Sequence, residues 1–114
     1  MHGRQTWMDG FGAAVTVVDA DLNILYMNEK SMATFEKYGG GALLGANLAG
    51  CHMGRSMETM KRILESGRPN VYTIEKAGVK KLIYQAPWRA DGPIAGLVEM
   101  AFEIPDELPH FVRD

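Results

Sequence analysis

Cys51 and His52 stand side by side in the run Cys51-His52-Met53-Gly54-Arg55-Ser56, the one place in the chain where a thiol and an imidazole meet. Both groups bind metals, but a structural zinc wants four ligands. The remaining imidazoles, His2 and His110, lie near the two ends, so a single copy supplies no obvious set of four. No glycine-rich phosphate loop, paired-histidine metalloprotease helix or nucleophile elbow is present. The carboxylates Asp19, Asp21, Glu99 and Glu103 read as turn residues or as charge on a solvent face. These observations point to a protein that is not an enzyme. The eight methionines form the other conspicuous set. Flexible thioethers fill irregular space, either as ordinary core or as the wall of a pocket for varied apolar ligands.

The rest of the composition narrows the setting. At 114 residues the chain has room for one domain, and 46% hydrophobic residues are enough to build its core. A net charge of −2 offers no electrostatic case for nucleic acid or an anionic membrane as partner. Lys76, Lys80 and Lys81 form one basic cluster, which a solvated hairpin explains. A single cysteine excludes an internal disulfide and fits a reducing, cytoplasmic setting. No run approaches the roughly 18 apolar residues of a membrane-spanning helix, and the first residues lack the apolar core of a signal peptide.

Residues 1–12 hold Trp7, Met8 and Phe11 and read as a leader, a candidate dimerisation helix. Residues 13–104 read as the domain and 105–114, with Pro105 and Pro109, as a tail. Ala13 to Asp19 is β-branched and apolar, a buried strand. Asp19-Ala20-Asp21-Leu22-Asn23 is turn chemistry, and Ile24 to Met27 completes a hairpin. Asn28 is a helix N-cap for a helix expected to reach about Lys37, where Gly39-Gly40-Gly41 stops it. Ala42 to Gly50 is irregular or weakly helical. Met53, Met57, Met60 and Leu64 recur at helical spacing, predicting a helix from about Arg55 to Ser66, with Met57 and Met60 inward and Lys61 and Glu65 toward solvent. Gly67 and Pro69 end it.

Three strands follow. Val71 to Glu75 comes first. Val79 to Trp88 sets Leu82, Tyr84, Ala86 and Trp88 on one face and Lys81, Ile83 and Gln85 on the other. After the Asp91-Gly92 turn, Ile94 to Ile104 sets Val98, Met100, Phe102 and Ile104 opposite Glu99 and Glu103. Two strands, a helical block and three strands make an α+β fold, a five-stranded antiparallel sheet with helices on one face.

That order, with its residues, resembles the PAS family of sensory domains. Ala14-Val15-Thr16-Val17-Val18-Asp19 and Ile24-Leu25-Tyr26-Met27-Asn28 are similar to the family's opening hairpin and capping Asn. Leu43-Leu44-Gly45-Ala46-Asn47 resembles the segment before its main helix, Leu64-Glu65-Ser66-Gly67-Arg68-Pro69 the end of that helix, and Gly96-Leu97-Val98-Glu99 the closing strand. The likeness runs over residues 13–104. A bacterial and archaeal subset of the family carries Cys-His-Pro-Pro-x-Ser where this chain has Cys51-His52-Met53-Gly54-Arg55-Ser56, with Met53-Gly54 in place of the prolines.

The resemblance implies a pocket between helices and sheet, frequent homodimerisation and signal relay to a partner protein. On that basis the expected pocket is formed by Tyr26, Met32, Phe35, His52, Met57, Met60, Leu64, Tyr84 and Trp88. The ligand is either an unidentified small molecule or haem, with His52 as the candidate axial ligand. Otherwise His52 orients the start of the helix. Flavin-adduct members of the family use Gly-x-Asn-Cys. Here Leu48 follows Gly45-Ala46-Asn47, so that chemistry is not expected. The alternative is a ligand-free interaction module whose cavity is filled by its own side chains.

Overall fold

The Asp19 carboxylate organises the first hairpin. Its Oδ1 accepts from the amides of Asp21 and Asn23, and its Oδ2 accepts from the Asn23 side chain. The Asn23 amide is the main reason its carboxyl sits below the usual carboxylate range. Leu22, held within this turn at φ 69°, is buried. The turn joins β1 (Ala14–Asp19) to β2 (Ile24–Met27). The computed structural model describes residues 6–50 and 57–114.

Asn28 caps α1 (Glu29–Thr34) and does more than cap. Its Oδ1 accepts from the amides of Ser31 and Val15, both at 2.9 Å. Its Nδ2 donates to the carbonyls of Met8 and Ala13. One side chain, 1% exposed, thus ties the leader, β1 and α1 together. The helix is shorter than its sequence suggests. It gives way at Phe35 to 3₁₀ turns over Glu36–Tyr38, Gly40–Leu43 and Leu48–Gly50. Gly39, at φ 124°, takes a backbone conformation that a side chain resists.

The main helix α2 is described over Met57–Ser66 and closes with the Gly67 amide donating to the Ile63 carbonyl. Met60 is buried, Met57 packs against the core, and Lys61 and Glu65 are exposed, so the helix has the phase its methionines predict. β3 (Asn70–Lys76), β4 (Val79–Arg89) and β5 (Ile94–Ile104) complete one antiparallel sheet in the order β2-β1-β5-β4-β3. The class is α+β, as expected. Val18 and Leu97 from the sheet meet Met60 and Ile63 from α2, with Leu22, Ile24, Met27, Leu43 and Leu48 completing the core.

Register settles which face of the sheet meets the helices. Thr16 pairs with Glu99 and Glu99 with Gln85. The Thr16 hydroxyl bonds the Ser31 hydroxyl of α1 at 2.6 Å, so this row looks inward. Lys81, Ile83 and Gln85 of β4 and Glu99, Ala101 and Glu103 of β5 are therefore inner residues. Tyr84, Val98, Met100 and Phe102 face away. The two rows on each strand are grouped as the sequence predicts, but the assignment of rows to faces is reversed. Alternation separates two faces without saying which one is covered. Here the inner row tolerates polar residues because they bond one another.

Candidate functional site

Three polar residues cross the inner face at one level. Asn70 Nδ2 donates to Gln85 Oε1 at 3.0 Å, and Gln85 Nε2 donates to Glu99 Oε2 at 2.7 Å. Gln85 is 3% exposed, where an unpaired amide would be costly. Bonding at both ends of its amide offsets that cost and fixes its orientation. Asn70, Gln85 and Glu99 come from β3, β4 and β5, and cross-strand register alone aligns them.

Beside this row the end of α1 and the first 3₁₀ turn stand off from the sheet and leave a cavity of about 340 Å³. Phe35 and Tyr38 supply its helical wall, with rings 6.4 Å apart. Tyr72, Ile74, Ile83, Ala101 and Glu99 supply the sheet wall. Thr34, Lys37, Lys76 and Lys81 complete the lining. A largely apolar recess with a few polar groups is the usual form of a small-molecule site. Lys37 Nζ lies 5.1 Å from the centre of the Tyr38 ring, close enough for a cation–π contact. Nearby, Lys30 pairs with Glu103 at 3.5 Å, so the Glu103 carboxylate already has a cation of its own.

A second, more open groove of about 530 Å³ lies at the end of α2, lined by Thr59, Arg62, Ile63, Ser66, Arg68, Pro69 and Asn70. It is larger but lacks aromatic walls. Asn70 belongs to this groove and also begins the chain of amides that ends at Glu99, so a row of hydrogen bonds joins the two depressions.

Of the described residues expected to form a pocket, Phe35 alone lines the cavity. Met32, Met57 and Leu64 pack against the hydrophobic core, and Met60 is part of it. Tyr26, Tyr84 and Trp88 are on the opposite, outer face. Tyr26 pairs with Val17 and Tyr84 with Met100. Trp88 lies over Gly96 and donates its indole N–H to the Val18 carbonyl at 3.0 Å. His52, the candidate haem ligand, lies outside the described residues, as do Cys51 and Met53. Among the described residues no three His, Cys, Asp or Glu side chains gather as a metal site. Sequence reasoning missed Glu99 and Gln85, set aside as the polar side of their strands, and Lys76 and Lys81, taken for a solvated hairpin. The signal that marks them is the pairing of two polar residues, Gln85 and Glu99, at matching positions on neighbouring strands.

No protein-family model and no curated protein matches the chain. Solved structures do. The PAS domain of the histidine kinase ThkA superposes with a TM-score of 0.65 at 17% identity, over 79% of this chain and 97% of that one. A sensory box sensor histidine kinase from Vibrio cholerae gives 0.58 at 17% identity, over 86% of each chain. VqmA of Vibrio cholerae, a LuxR-type receptor, gives 0.63 at 15% identity, over 93% of this chain and 54% of its own. The chain therefore has a PAS-like fold.

Proposed function

We propose that this PAS-like chain is a sensory domain that takes up a small molecule between α1 and the sheet. Packing changes at the sheet would relay occupancy to a second copy or to a partner protein. The cavity walled by Phe35, Tyr38, Tyr72 and Ile83 and floored by Glu99 is the observation that carries this reading. Sensor kinases and a receptor among the structural neighbours support it. A ligand there would bear on Glu99, hence on Gln85 and Asn70, and on the C-terminal end of α1, whose other end Asn28 ties to the leader. A ligand shifts such an equilibrium only by its difference in affinity for the two arrangements. Relay through a homodimer is the expected form, because Trp7 and Phe11 are 66% and 42% exposed and the outer row of the sheet is largely apolar. Native mass spectrometry and absorption spectroscopy of the purified protein test the reading, since they detect a retained molecule or chromophore. Ala101→Trp, which fills the cavity, should abolish retention. A bound molecule that survives this substitution would place the ligand elsewhere.

A further inference from the structure

The lining of the cavity is sorted by charge. Among the described residues three lysines, Lys37, Lys76 and Lys81, line it, with Glu99 the carboxylate among them. They approach from three elements: Lys37 from the 3₁₀ turn after α1, Lys76 from β3 and Lys81 from β4. Glu103, which pairs with Lys30, stands across from Lys81 on the same face, so lysines still outnumber carboxylates around the recess among the described residues. Glu99 accepts from Gln85, which directs that oxygen along the sheet. An excess of positive charge around an aromatic recess favours an occupant with an apolar body and a negative end.

Size narrows the class. A recess of about 340 Å³ is at the small end of ligand sites, which run from about 300 to 1,000 Å³. We infer that the cavity selects a small amphiphilic anion, a single ring or short apolar chain ending in a carboxylate, with the apolar part between Phe35 and Ile83 and the carboxylate among Lys37, Lys76 and Lys81. This rests on the cavity being the ligand site, as proposed above. The lysines were free to be anything soluble if the hairpin were only a turn. Their convergence with Lys37 across the cavity is what gives them a common task.

The test is an amide chemical-shift titration of the full chain with 3-phenylpropionate and with its uncharged counterpart 3-phenylpropanol. The carboxylate should shift the amides of Phe35, Tyr38, Ile83 and Ala101 and bind about fivefold to tenfold more tightly than the alcohol. The preference should shrink as salt is raised, since the charges at the mouth are open to screening. Lys37→Gln combined with Lys81→Gln should remove most of the preference for the carboxylate over the alcohol. If wild type binds both probes equally at these amides, the charge selection is wrong and the cavity remains a ligand site. If neither probe moves these amides, the cavity reading falls and the inference with it.

Discussion

Asn28 and Gly96 show how much of the fold can depend on single positions. Asn28 uses its carbonyl oxygen twice and its amide nitrogen twice within a site that is almost fully closed to solvent. Asn28→Ala should lose the helix cap and leave the Val15 amide unpaired. Together these cost about 3 kcal/mol, read as a lower urea midpoint. Asn28→Asp keeps the acceptors but loses both donor bonds and buries a charge, so it should not rescue the loss. Gly96 is constrained by space rather than by backbone dihedral. A Cβ there would lie 2.0 Å from the Val18 carbonyl oxygen, 2.9 Å from Asp19 Cα and 2.6 Å from the Trp88 indole nitrogen. Gly96→Ala must displace backbone in the middle of the sheet and should cost at least about 3 kcal/mol. Gly12→Ala, with nothing within 4 Å, should change the melting temperature little, because open surface substitutions stay within about 0.5 kcal/mol. Similar melting shifts for the two would contradict the close packing of β5 on β1.

At the scale of elements, the leader is held by an acid–phenol pair. Tyr26 Oη donates to Asp9 Oδ1, and the Asp9 carbonyl accepts from the Glu29 amide. The Tyr26 hydrogen bond, and then the Thr6 amide, hold the Asp9 carboxyl below its ordinary range. Burial, and then the Asp9 bond, push Tyr26 up to about 12. A lowered carboxyl stabilises docking above its ordinary value, and that contribution disappears as pH falls through the lowered one. A raised phenol stabilises docking below its ordinary value, and the contribution disappears as pH rises through about 12. Amide exchange at Glu29 should therefore accelerate in acid relative to α2. Absorbance at the phenolate band should show a step at about 12 that is missing in Tyr26→Phe. A titration curve whose high-pH limb is unchanged in that variant would show that the pair contributes nothing.

The elements themselves were legible because hairpin turn, cap and helix stop each have local chemistry: Asp19, Asn28 and Gly67 do in the structure what their types suggest. The phase of α2 was legible because Met57, Met60 and Leu64 repeat on one stripe. The inner face of the sheet was not. Val98, Met100 and Phe102 look like a core row, and only pairing with distant Thr16 and contact with Ser31 reveal Glu99 as the inward residue. That information is nonlocal, and no alternation within β5 contains it. The shortening of α1 after Thr34 escaped for a related reason. Phe35 and Tyr38 continue an apolar pattern while their backbone has already left the helix.

For the whole molecule, apolar area on the outer side bears on assembly. Tyr84 is 40% exposed and stands in the row with Leu82, Met100 and Phe102, while Trp7 and Phe11 meet edge to face with centroids 5.4 Å apart. We expect two copies to associate through these surfaces. Sedimentation at tens of micromolar, as an order of magnitude for modest interfaces, should show a dimer that Trp7→Ala with Tyr84→Ala reduces to monomer. A wild type that remains monomeric would leave relay to a different protein. The two tryptophans also differ in a way that can be observed directly. Trp7 is largely open to water, whereas the Trp88 indole rests on Gly96 with its N–H engaged by a carbonyl. The chain thus holds two indole fluorophores, one on the leader and one on the sheet. Trp7→Phe leaves a single indole seated on the β1–β5 junction, with emission to the blue of the leader's and less open to soluble quenchers than Trp7. Any ligand that moves the sheet then writes its effect into that emission, without a label.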